Sequence, residues 1–538
     1  MNKNALKTAK TLLVSFSLIL ASFSNVYAQK KTQNSGEIDP RLQQNLTIVV
    51  SEHDFDLNPH TSSYSLEAQI LTGLYEGLFS YDPVTLSPIP AIVKEYRISR
   101  DKRRWTFILR DDAFFSDGSP ITADEIKSSW LRLLKNPNAT FASFFDIVEG
   151  AEDFRNGKTD DEKVGIFPID EHTLSLHLKN PASHLPKLLC MPAFSVLPKK
   201  EGVYSGPFQI DSASKNMISL KKNENYWDRA KTPLERITFI VSSDQDENAY
   251  LFNTGLADWV ESGIDVKKII SKDSTHLSAE FATEYIFFKN RTAADGKKSI
   301  WSDKKFREAL LEAVPWDKLR EDTFVKAQTL VYPLAGYPEV QGYVYTDAKE
   351  ALSLMKEARA KNGISEDETL YITYAITENE HLSRQKDILK EAWKPLGVEL
   401  ESIKVPFNEY LGSMEKLDSD LFSYTWIGDF ADPLAFLELF KKDSTMNVTG
   451  WENQEFEKLI EEAKSQPDGK REILLAKAEQ ILLDDAEIIP VQHPVSFNVI
   501  DLNVVGGWAT NAFDIHPLKY LFKKETKPRL PNVVMNSD

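Results

Sequence analysis

Apolar and polar positions change period repeatedly along this chain, and each change marks an element. Trp105, Phe107 and Leu109 alternate with Thr106, Ile108 and Arg110, the period-2 pattern of a half-buried strand. Asp117-Gly118 marks a tight turn. Thr122 with Glu125 reads as a capping box, and Asp124 adds negative charge at the same helix start. Ile126, Trp130, Leu133 and Leu134 then fall on one helical face. Leu46–Val50 reads as the first strand, and the next helix sets Leu66, Ile70, Leu74 and Tyr75 on one side. Phe306, Leu310 and Ala313 share a face before Pro315 stops their helix. Further on, helix-to-strand units carry Gly363 and Gly397 where helix C-caps are expected. Strands alternating with helices predict α/β architecture.

The N-terminus has a different pattern. Lys3, Lys7 and Lys10 precede an apolar run, Thr11–Phe23, that is too short to span a bilayer, and Val26-x-Ala28 supplies small residues for cleavage. Residues 1–28 therefore read as a signal peptide, with the mature chain starting at Gln29. Residues 29–45 are polar and expected to be disordered. No cysteine follows the apolar core, so no lipid anchor is expected. No later segment is apolar for long enough to cross a membrane. The 538 residues carry a formal charge of −17, which disfavours nucleic acid and anionic membrane surfaces as partners.

Chemical motifs are scarce. "NGKT" at 156–159 lacks the glycine a phosphate loop needs at 152, where this chain has Glu152. His172 and His177 lie five apart in a predicted strand, so they point to opposite faces and cannot share a metal. Cys190, the single cysteine, sits in an apolar run and reads as a buried, inert thiol. No hydrolase or zinc-protease motif occurs, and no spacing singles out a catalytic carboxylate pair. No catalytic residue, metal or cofactor is expected.

The run "FILRDDAFFSDGSPITADE" at 107–125 closely resembles the hallmark of the extracytoplasmic solute-binding proteins of family 5, the peptide- and nickel-binding receptors of ABC importers. Leu57-x-Pro59 and Tyr75-Glu76-Gly77-Leu78, "YSGPFQI" at 204–210, and Asp303, Arg307, Ala309 and Leu310 fit in order, whereas Pro315 and Trp316 depart. The likeness extends over about 46–522. It implies a class C periplasmic-binding-protein fold: two α/β lobes joined by two crossing segments, with an extra domain inserted into the first. Lobe I would comprise 46–84, 204–281 and 494–525. The extra domain would be 85–203, lobe II 282–493, and 526–538 a C-terminal tail. The resemblance further implies a periplasmic monomer that captures short peptides by lobe closure and passes them to the transmembrane subunits of an ABC permease, without covalent chemistry. A nickel chelate, haem or oligosaccharide ligand, or service as a sensor for a membrane receptor, remain the alternatives.

The expected site is Leu421–Phe440. Leu421, Ser423 and Thr425 alternate with Phe422, Tyr424 and Trp426 as in a strand, which Gly428-Asp429 and Asp432-Pro433 then break. A strand edge ending in an acidic turn suits an extended peptide, because main-chain hydrogen bonds ignore side-chain identity. On local pattern alone, Asp429 is as well explained as a turn cap. The segment resembles the "W-x-A-D-Y-x-D-P" stretch of the family's peptide binders, whose aspartate receives the peptide ammonium. That likeness assigns the role to Asp429, with Gly428 in place of alanine and Phe430 in place of tyrosine. Trp426 would cover the ligand, Thr425 and Ile427 would offer backbone groups, and Glu76 would face the cleft from lobe I. Some relatives carry arginine where this chain has Ser423, so the grip on a ligand carboxylate is left open.

Overall fold

The computed structural model describes residues 44–290, 298–334, 336–428, 430, 432–467 and 469–524. The expected signal peptide, residues 29–43 and the tail 526–538 lie outside them. Gln44 and Asn45, placed by sequence in the disordered segment, instead belong to the fold. The Gln44 side chain donates to the Lys523 carbonyl at 3.0 Å, and Asn45 starts a strand in register with Arg236.

Two sheets organise the two lobes. The first is seven-stranded, in the order Thr275–Ala279, Val495–Ile500, Trp259–Val260, Asn45–Val50, Arg236–Val241, Met217–Lys222 and Phe208–Ser214. Asn45–Val50 runs parallel to both of its neighbours. Its side chains pack on both faces: Ile48 and Val50 join one apolar cluster and Val49 another. This accounts for an apolar run rather than a clean alternation. The second sheet is six-stranded, in the order Val325–Lys326, Ile488–His493, Ala282–Phe288, Leu421–Ile427, Leu370–Ile376 and Val398–Lys404. Leu370–Ile376, the helix Glu380–Trp393 and Val398–Lys404 form a parallel crossover unit. Gly397 makes the turn back to the sheet at φ +72°, in the left-handed region that glycine adopts without a Cβ penalty.

The chain passes between the sheets twice, at 279–282 and at 493–495, and the two passages touch: Glu280 N donates to Pro494 O at 3.1 Å. A third, four-stranded antiparallel sheet is inserted in lobe I, in the order Val93–Ile98, Arg104–Leu109, Thr173–His177 and Ile166–Asp170. Here Trp105, Phe107 and Leu109 are buried, as are Ile126, Trp130, Leu133 and Leu134 of the helix Ala123–Lys135. Thr122 accepts a bond from Glu125 N at 3.3 Å. The hairpin Phe79–Tyr81 with Pro88–Pro90 packs against this domain, and the expected break between 84 and 85 falls in its turn.

Candidate functional site

A cavity of about 510 Å³ lies between the sheets. Lobe I contributes Pro59, Ser62–Ser65, Phe513 and Ile515, and the inserted domain Phe141 and Met191–Ala193. Lobe II contributes Asn379, His381, Phe407, Tyr410 and Ser423–Gly428. The wall follows from how one strand ends. Leu421–Ile427 pairs along its whole length with Ala282–Phe288, but on its other edge it meets Leu370–Ile376 only at Leu421 and Phe422. The Tyr410 hydroxyl sits where those two strands part. It donates to Ala375 O at 2.8 Å and accepts from Ser423 N at 2.9 Å. Main-chain groups at i and i+2 face the same edge of a strand. Those of Thr425 and Ile427 therefore face the cavity side, where the neighbouring strand has already turned away.

The sequence-predicted residues separate into three groups. Thr425, Trp426, Ile427 and Gly428 all line this cavity. Trp426 is held rigidly, its Nε1 donating to Ala435 O at 2.6 Å and its ring 6.1 Å from Phe141. Gly428 is fixed by packing, since a Cβ there would stand 2.4 Å from Cε1 of Phe281. Asp429 lies outside the described residues. Phe430 and Glu76 are not in the cleft. Phe430 is buried beyond the turn, edge-on to Phe144 at 5.4 Å and stacked on His184 at 5.8 Å. An apolar ring there gains more from that aromatic packing than from a solvated cleft. Glu76 is 5% exposed and takes bonds from the Tyr226 hydroxyl, from Trp227 Nε1 at 2.6 Å and from Lys519 Nζ at 2.8 Å. A buried carboxylate needs such partners, and supplying them closes it off from the cleft.

Sequence reasoning missed a buried carboxylate in the cavity wall. Glu284 accepts from Gln385 Nε2 at 2.6 Å, from Gln492 Nε2, and from His381 Nε2 at 2.9 Å. Burial alone would raise the Glu284 carboxyl, but these hydrogen bonds outweigh it and hold the group below its ordinary value. The same bond raises His381 above the ordinary histidine value. Glu284 is the only charged residue in the buried strand Ala282–Phe288, and that isolation was a readable signal. Across the cavity Tyr64 of lobe I meets Phe407 of lobe II at 5.9 Å. Burial pushes the Tyr64 hydroxyl up to about 12. Cys190 is buried, and burial raises its thiol, which suppresses the reactive thiolate. Among the described residues no group of His, Cys, Asp and Glu could hold a metal ion, and no helix is long and apolar enough to cross a membrane.

Two α/β lobes with paired crossings, an inserted domain and a cavity between them define a two-lobed extracytoplasmic solute-binding protein. The chain belongs to the bacterial extracellular solute-binding proteins, family 5, whose family model matches residues 87–447. It is 25% identical over 526 residues to the oligopeptide-binding protein OppA of Bacillus subtilis, covering 92% of this chain and 95% of that one. The structure of the Escherichia coli murein tripeptide binding protein MppA superposes with a TM-score of 0.80 at 22% identity, covering 90% of this chain and 99% of that one. Haemophilus influenzae OppA in complex with RPPGFSPFR gives 0.79 at 22%, over 90% and 100%. Against the unliganded open form of MppA the TM-score is 0.62 at 22%, over 89% and 97%.

Proposed function

We propose that this protein captures short peptides with a free amino terminus between its lobes and delivers them to an ABC permease. The observation that carries this reading is the unpaired edge of Leu421–Ile427 inside the cavity. A peptide laid along Thr425–Ile427 continues the sheet where Leu370–Ile376 leaves it, and exchanges main-chain bonds independent of its side chains. A volume near 510 Å³ lies within the range of sites that enclose a small ligand. Gly428 brings the chain to the cavity wall, and Asp429, the next residue, is proposed to receive the ligand ammonium, since an enclosed ammonium needs a counter-charge. The names of the relatives, oligopeptide- and murein tripeptide-binding proteins, agree with this reading.

Cleavage after Ala28, a periplasmic location without a lipid anchor, a monomeric state and the absence of covalent chemistry complete the proposal. The lobes and inserted domain are proposed to divide at the boundaries given above, the two passages between sheets serving as the hinge.

Thermal unfolding of protein stripped of bound ligand by refolding tests it. A ligand at about 100 times its Kd stabilises by ~2.7 kcal/mol. A mixed tri- to pentapeptide pool is expected to raise the unfolding temperature, and the same pool N-acetylated is not. No shift with either pool removes the peptide reading. Equal shifts keep peptides and remove the role given to Asp429.

A further inference from the structure

A second cavity, of about 670 Å³, exceeds the cleft in volume and shares no lining residue with it. It lies where the inserted domain meets lobe II, on the far side of Phe430. Its inserted-domain wall is aromatic and aliphatic. Tyr96 and Ile98 remain 41% and 45% exposed, and Trp105 stacks on Tyr96 with ring centroids 5.5 Å apart. The Trp105 indole Nε1 is buried with no hydrogen-bond partner. Phe430 and Leu434 form the facing wall. Phe430 and Leu434 are only 1% and 8% exposed, so the open apolar surface is that of Tyr96 and Ile98, and apolar surface facing a cavity of this size is a candidate ligand site.

The charge at this cavity runs against that of the whole chain. The sequence carries −17, yet six lysines and arginines line the cavity; four of them are neutralised, Lys179 by Glu152, Lys441 by Glu438, Lys464 by Glu461 and Arg471 by Asp432, which leaves the surplus on Arg100 and Lys102. The two lining carboxylates are already paired, Asp146 with Arg155 at 2.6 Å and Glu438 with Lys441. Arg100 and Lys102, on the turn that follows Tyr96 and Ile98, have no acidic partner among the described residues. Two unpaired cations beside an aromatic wall attract negative charge and repel positive charge.

We propose that this cavity is a second ligand site, taking a small amphipathic anion. The flat aromatic or alicyclic body lies against Tyr96 and Ile98, and a carboxylate or sulfonate head meets Arg100 and Lys102. The occupant touches both the inserted domain and lobe II.

Calorimetric titration of the full protein with naphthalene-1-sulfonate and with 1-naphthylmethylammonium tests the site, because the two probes share a ring system and differ in the sign of the head. The sulfonate is expected to bind and the ammonium to bind at least tenfold more weakly. The double variant Arg100→Glu, Lys102→Glu changes two exposed side chains and is expected to weaken the sulfonate at least tenfold. Ser183→Trp, which fills the cavity from an exposed lining position, is expected to do the same. Both variants should keep the parent unfolding temperature and the parent response to the peptide pool. Absence of sulfonate binding, equal binding of the two probes, or sulfonate binding unchanged in both variants overturns the proposal.

Discussion

Glu76 in lobe I and Glu284 in lobe II are both buried to 5% exposure, and both accept several hydrogen bonds. Their partners differ in kind. Glu76 holds a permanent cation, Lys519, together with Tyr226 and Trp227, and this network shares no wall with the cleft. Burial alone would lower the Lys519 ammonium, but the attraction of Glu76 outweighs it and holds the group above its ordinary value. Glu284 has two neutral amides and one titratable ring, His381, and all but Gln385 line the cavity. Burial of a carboxylate therefore does not by itself mark a binding residue. What distinguishes the two is whether the charge is balanced permanently, as in a structural anchor, or conditionally and in the wall of the cavity.

Breaking the anchor should produce the largest effect. Glu76→Ala leaves Lys519 buried without its counter-charge, which costs about 3–5 kcal/mol. Urea unfolding should show that loss, while the protein that remains folded binds peptides with parental affinity. Replacing both partners, Glu76→Gln with Lys519→Met, should cost less than the single change because no charge is stranded. A Glu76→Ala protein of normal stability that no longer binds peptides would place Glu76 in the binding site and end the contrast.

Within lobe II the wall has its own anchor. Gly428→Ala forces a methyl into the Phe281 ring, 2.4 Å away, and should destabilise by about 1–3 kcal/mol through overpacking. The second change Phe281→Leu should restore part of that loss in thermal unfolding. A full-strength Gly428→Ala protein would mean that Phe281 moves aside freely.

These two positions also show what was legible in the sequence. The strand at Trp105–Leu109 and the helix that follows it were readable because their signals recur within a few residues and match the burial observed. The strand Leu421–Ile427 was readable in its extent and in its end at Gly428, but Leu421, Phe422 and Ser423 are all buried, so its burial does not follow the alternation read from the sequence. The placement of Glu76 was not, since its partners lie 150, 151 and 443 residues away and no local period reports a contact at that range. Phe430 was misplaced because the family likeness that assigned it preserves the order of residues and says nothing of where the chain points after the turn. Glu284 was missed although its isolation in an apolar strand was visible, because its three partners come from a helix and another strand. The open edge at Thr425 needed the register of two neighbouring strands, which only the folded chain provides.

That edge gives the next smaller effect. Thr425→Pro removes one N–H facing the cavity without touching the ladder to Ala282–Phe288, and proline is tolerated at an unpaired strand edge. One lost hydrogen bond of about 1.4 kcal/mol corresponds to tenfold in affinity. Calorimetry with the peptide pool should show that loss with an unchanged unfolding temperature. Unaltered affinity would mean that ligands do not add to this strand, and the wall would then act through side chains alone.

The smallest effect is the conditional balance itself. His381 has its folded pKa raised above 6.5 by Glu284, so the stabilisation from that bond is complete below the unfolded value and is lost as pH rises through the folded value. Glu284 is held below 4.5, so its share is present above that value and is lost as pH falls through the depressed one. The pair therefore stabilises most between the two and fades on the alkaline side first. Hydrogen bonds to charged groups suggest about 1 kcal/mol for a half-buried histidine. Other groups titrate in the same window, among them Glu280, which burial pushes up to about 8. The measurement is accordingly the difference between wild type and His381→Gln in urea unfolding, taken from about pH 6 to about pH 9. That difference should be largest at the acidic end and shrink toward the alkaline end. The double replacement Glu76→Gln with Lys519→Met, set against wild type over the same range, should give a constant gap, because it strands no titratable group and the wild-type Lys519 is held above its ordinary value. A His381 difference as constant as that of Glu76 would show that Glu284 is balanced permanently by its amides, and the two carboxylates would then be anchors of the same kind.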